Sequence, residues 1–94
     1  MSLQREREEL EFLWDAFIDE LGGWFEKVLD FHARVDVRRL FIEKPEEFVE
    51  VVEGLLGRHG LTVILLSIEE VGRKMGLSLD EFYRLYGEYL SYKE

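Results

Sequence analysis

Any chemistry in this chain has to come from two histidines, a run of carboxylates and a small group of arginines, because there is no cysteine. That absence removes disulfides, thiolate nucleophiles and zinc–thiolate sites. His32 and His59 stand 27 residues apart with no Glu-x-x-His or His-x-x-x-His spacing, and Leu29 occupies the place where a di-iron helix carries its glutamate. No metal and no cofactor is expected; His32 falls beside an apolar seam and suits an interface or buried polar contact, while His59 suits a loop. Glu8, Glu11, Asp15 and Asp19 share one side of a helix, yet no base or aromatic cleft accompanies them, so they read as a solvated face. No catalytic residue can be nominated, and the chain is not expected to be an enzyme. Arg34, Arg38, Arg39 and Lys44 form the one basic cluster, the only place where a phosphate could be held.

The charge balance narrows the partners. Twenty-one acidic against 12 basic residues give a formal net charge of −9, which repels nucleic-acid phosphates and anionic membranes at long range. Residues 1–30 hold nine acids and three bases (−6), and residues 31–44 hold four bases and two acids (+2). The default partner is therefore another protein. A chain of 94 residues buries only roughly 60 to 65% of its unfolded surface, so a partner subunit would matter. There is no asparagine and one glutamine beside many ionic side chains, a composition suited to a thermophile. No cleavable signal is apparent, and the longest apolar run, Leu61–Leu66, is far short of the ~20 residues that span a bilayer. A soluble, cytoplasmic protein with no membrane partner is expected.

The elements that would position these groups are helices. Leu10, Trp14, Phe17, Leu21, Trp24, Val28, Phe31 and Val35 are spaced 4, 3, 4, 3, 4, 3, 4, a heptad seam without a break, and Leu13, Ile18, Phe25 and Leu29 widen it. Gly22-Gly23 sits in its middle and costs about 2 kcal/mol relative to two alanines. Because the phase survives the glycines, the pattern favours one long helix from about Gln4 to Arg34, bent at the pair, over two helices meeting at Gly22. Such a helix would be ~45 Å long against a domain diameter of ~26 Å, so a monomer could not cover its whole seam. That makes Leu10, Trp14, Phe17, Leu21, Trp24, Val28 and Phe31 the expected homodimer interface, with the two tryptophans as anchors.

The rest of the chain reads as a compact bundle. Asp36 can cap a short helix holding Val37, Leu40 and Phe41, although Val35/Val37 also permits a strand. Lys44-Pro45-Glu46-Glu47 is a helix start, with Phe48, Val51, Val52, Leu55 and Leu56 as its buried stripe. Gly57 and Gly60 should end that helix, leaving Arg58-His59 as a tight link into an antiparallel partner. The partner is the apolar stretch from Leu61 to Gly76: Leu61, Ile64, Leu65, Ile68, Val71 and Met75 on one face, Val63 and Leu66 on the other. Ser78-Leu79-Asp80-Glu81 has the form of a capping box that starts a last helix, with Leu79, Phe82, Leu85, Tyr86 and Tyr89 inward. Tyr83, Tyr86, Tyr89 and Tyr92 make that helix dense in tyrosine, which suits an amphipathic rim or a partner surface.

One segment resembles a known functional pattern. Ile68 to Gly87, with Val71, Gly72, Met75, Gly76, Leu77, Phe82 and Leu85 at packing positions, is similar to a helix-turn-helix. That resemblance implies DNA contacts from Ser78, Tyr83 and Arg84, with Arg34, Arg38 and Arg39 on the phosphates, yet only Arg84 is of a type that such readers usually place there. Phe48 to Leu85 also resembles small archaeal helical domains, which imply no particular function. Taken together, the sequence predicts one all-α domain over 1–94, a long or bent N-terminal helical seam (1–35) and a bundle of three to four helices (36–94). Its expected function is homodimeric protein interaction, with a helix-turn-helix transcriptional regulator as the alternative.

Overall fold

A computed structural model describes residues 2–90, and every described element is helical. The order is α1 (Ser2–Leu21), α2 (Gly23–Ala33), α3 (Val37–Glu43), α4 (Pro45–Met75) and α5 (Asp80–Tyr86), followed by a 3-10 turn, Gly87–Leu90. Tyr92 lies outside the described residues. The all-α expectation holds.

The single long N-terminal helix does not form. Gly22 takes φ 107°, ψ 144°, a conformation that L-residues avoid, and the chain folds back there. The indole Nε1 of Trp14 donates to Glu26 at 2.7 Å. Twelve residues along a straight helix are ~18 Å apart, so that bond requires the turn. Heptad phase alone did not report it, because a one-residue interruption leaves the spacing intact while changing which way the spaced residues face.

The second glycine region meets expectation at Gly57, where the helix breaks, and differs from it after that. Arg58, His59 and Gly60 are helical, and the only interruption of α4 is Gly57, at φ 81° and ψ 173°. A straight helix of 31 residues would measure ~46 Å, whereas the longest extent of the fold is 33 Å, so α4 bends at this point. Gly60 is required by the bend, since a Cβ there would lie 2.5 Å from Cβ of Leu56. Leu55 and Leu56, expected in the buried stripe, are instead exposed beside the kink; Phe48, Val49 and Val52 carry the stripe. His59 is exposed on the helix.

Beyond the kink, α4 buries Leu61, Thr62, Ile64, Leu65, Ile68, Val71 and Gly72. One stretch of α4 is long and apolar enough, by length and composition alone, to cross a bilayer, and a third of that stretch is buried in this fold. Val63 and Met75 face solvent, so the helix is covered on one side rather than two. At Gly72 the elements come close: a Cβ would lie 2.6 Å from Leu13 and 2.8 Å from Leu79.

The centre is aromatic. Trp14 lies 5.2 Å from Phe41 and 5.8 Å edge-on to Phe48, and Tyr86 stacks on Phe41 at 4.9 Å. The Tyr86 hydroxyl donates to the Phe41 carbonyl at 2.7 Å, which satisfies a group that burial would otherwise leave unpaired; burial also pushes its pKa upward. This bond ties α5 to α3. Asp36 caps α3 as expected, accepting from the Arg39 N–H at 3.2 Å. The capping box at Ser78 is absent: α5 begins at Asp80, Glu81 turns its carboxylate to Arg84, and Ser78 Oγ accepts only a long hydrogen bond from the Asp80 N–H, at 3.5 Å. The Glu81 N–H is capped from α1 instead, by Glu9 at 3.2 Å. A long-range carboxylate has taken the local cap's place.

Candidate interaction surface

The heptad seam divides at Gly22 into two halves with opposite fates. Leu10, Trp14 and Phe17, on α1, are 2, 0 and 1% exposed within the single chain, so they are core and present no surface to a second copy. Leu21, Trp24, Val28, Phe31 and Val35 are 40, 62, 45, 77 and 42% exposed. After the turn, Phe25 and Leu29 take over the inward role, and the seam residues, one position out of phase with them, point away.

The outward strip is ordered by its own hydrogen bonds. The Trp24 indole lies across Gly22, where a Cβ would come within 2.7 Å of the ring, and its Nε1 donates to the Leu21 carbonyl at 2.9 Å. That carbonyl is one of the orphans at the end of α1. An exposed tryptophan with its N–H already satisfied and its ring seated loses little side-chain entropy on binding. Phe31 stands edge-on to His32 at 5.3 Å, and His32 is exposed rather than a buried polar contact.

Both acids of α2 are turned inward. Glu26 accepts from Trp14, and Asp30 accepts the Val37 N–H at 3.0 Å. Along α2 and its C-cap the charges that remain exposed are Lys27 and Arg34, while exposed Glu20 and Asp36 stand beside the strip's two ends, Leu21 and Val35. Arg34 ends α2 in the left-handed conformation, φ 62°, with its N–H bonded to the Asp30 carbonyl at 2.8 Å.

A groove adjoins the strip. About 430 Å³ opens between α1 and α4, floored by Phe17, Leu21, Val63, Leu66 and Val71 and edged by Glu20, Ser67, Glu70 and Lys74. Lys74 bonds Glu20 across it at 3.1 Å. Leu21 belongs to both strip and groove.

The residues expected at a DNA interface sit among carboxylates. Arg38 chelates Asp15 at 3.0 and 3.2 Å, which raises the guanidinium pKa further, and Arg39 lies 3.5 Å from Glu43. Arg84 binds Glu81, and the Tyr83 hydroxyl donates to Glu69, which raises the phenol pKa. Ser78 is exposed in the turn that Gly76 opens at φ 71° between α4 and α5, a helix of seven residues. Glu43 also holds Arg7 at 3.0 Å, and that guanidinium keeps its carboxyl below the usual range. Among the described residues no group of three or more His, Asp and Glu side chains is arranged to hold a metal ion.

No family model, curated protein or solved structure matches this chain.

Proposed function

We propose that this chain is a protein-interaction module that assembles as a homodimer through the outer face of α2. The observation that carries the reading is the strip Leu21, Trp24, Val28, Phe31 and Val35: heptad-spaced, exposed throughout, with Trp24, Val28 and Phe31 on α2, whose acids are engaged elsewhere, and Leu21 and Val35 at its two ends. At their fractional exposures the five leave on the order of 500 Å² of apolar surface in water, at the upper end of what ordinary monomers show. Large aromatics at the centre of such a patch are the side chains that dominate binding energy. Glu26 and Asp30 are engaged and the charges exposed along α2 and its C-cap are the cations Lys27 and Arg34, so no free carboxylate of α2 opposes a second copy.

Duplex binding finds less support. Arg38, Arg39 and Arg84 each hold a carboxylate, and breaking those pairs to reach phosphates costs part of what the phosphates would return. Sedimentation equilibrium of the parent at micromolar concentration tests the reading. A mass near twice 11.2 kDa is expected, and a monomer mass at every concentration contradicts it. A gel shift with mixed duplex DNA should show no complex at low salt.

A further inference from the structure

We propose that the dimer is reciprocal: the α2 strip of each copy seats in the α1–α4 groove of the other, with the two-fold axis passing close to Leu21. This rests on the homodimer reading above and adds what each strip packs against.

Symmetry supplies the first argument. About a two-fold axis lying in the interface, a patch on one side of the axis faces whatever its partner carries on the opposite side. Leu21 lies at the junction of strip and groove, so an axis at Leu21 brings strip onto groove twice in one closed assembly. Area supplies the second. Strip against strip would bury only ~1,000 Å² in total, below the ~1,200 Å² at which specific interfaces begin, and adding two groove linings carries the sum past that limit. Volume agrees: an apolar cavity of ~150 Å³ holds benzene, and the groove's 430 Å³ accepts the Phe31 ring with an aliphatic neighbour. Charge agrees as well. The groove's edge carries Glu70, which has no ion pair among the described residues, and the strip's margin carries Lys27 and Arg34.

The absence of cysteine makes the test clean. Lys27→Cys labels the strip's margin and Ser67→Cys labels the groove's edge; neither removes a residue that the interface is argued to use as an anchor. Each variant alone, and the two mixed and re-equilibrated, are treated with a short bis-maleimide and read on a denaturing gel, after sedimentation and circular dichroism show each variant matching the parent. A covalent dimer at least tenfold more abundant in the mixture than in either single variant is expected, because two copies of Lys27 lie on opposite sides of the axis. Crosslinking of Lys27→Cys with itself at an equal or greater level overturns the groove arrangement and leaves a strip-to-strip dimer. No crosslink in any sample from a dimeric parent also overturns the groove arrangement. A monomeric parent overturns the homodimer reading itself.

Discussion

Two stretches of one heptad pattern, Leu10 to Phe17 and Leu21 to Val35, carry the same kind of residue at the same spacing and end in opposite environments. The first half faces α3 and α4 and becomes the centre of an aromatic core. The second half is turned outward by a single glycine at positive φ. A heptad pattern therefore specifies which residues share a face, and the backbone at the glycine decides what that face meets. In the inner half, burial is complete within one chain; the outer half stays exposed in one chain, and in the proposed dimer a second chain covers it.

The largest effect that separates the halves is expected from paired alanine substitutions at the two tryptophans. Trp14→Ala should lower unfolding free energy by about 3 to 5 kcal/mol, because it empties the core and leaves Glu26 without its donor. Trp24→Ala, read in dilute protein where the dimer is dissociated, should cost about 1 kcal/mol or less. Comparable losses from both, by urea midpoint at nanomolar concentration, would erase the distinction between core and surface.

Next in size are the glycines that set the geometry. Gly22→Ala forces a Cβ into positive φ and against the Trp24 ring, and a cost of about 1 to 3 kcal/mol is expected, with the strip displaced. Gly72→Ala drives a methyl into Leu13 and Leu79 and should cost about as much through overpacking of the inner half alone. Thermal midpoints measure both; only Gly22→Ala should also weaken self-association.

Smaller effects come from surface charge. The folded-state pKa of Glu43 is depressed by Arg7, so its contribution is present above the usual carboxylate pKa and is lost as pH falls through the folded value. Glu43→Gln should therefore lower stability slightly at neutral pH and converge on the parent as pH falls below the folded value, flattening the slope on the acid side of pH 4.5, checked by midpoints between pH 2.5 and 7. Ser78→Ala should stay within about ±0.5 kcal/mol, since the cap of α5 comes from Glu9.

Much of the architecture was legible in the sequence. Proline and two acids marked the start of α4, Asp36 marked α3, and periodicity identified Phe48, Val52, Leu61, Leu65 and Ile68 as core. What failed did so for two reasons: backbone conformation at single glycines, and contacts that replaced a local cap. The Ser78 capping box lost Glu81 to Arg84 and was replaced by Glu9 from 72 residues away. At the Gly57–Gly60 pair one glycine turned the chain and the other served only close approach. Of the seven residues expected at a dimer interface, Leu21, Trp24, Val28 and Phe31 are on the surface and Leu10, Trp14 and Phe17 are in the core. No local signal separates those groups; the direction taken at Gly22 does. The groove between α1 and α4 joins residues 17 and 71, and no pattern in the sequence announces it.

Trp24 is exposed in one chain, and the proposed dimer covers it. Acrylamide quenching of tryptophan fluorescence reads this directly, with Trp24→Phe reporting the buried Trp14 alone so that the difference belongs to Trp24. Strong quenching of Trp24 is predicted at concentrations where the chain sediments as a monomer, falling severalfold as concentration rises through the dimer range, while Trp14 stays protected throughout. A Trp24 that is quenched equally at all concentrations, in protein that sediments as a dimer at the upper end, would contradict the account.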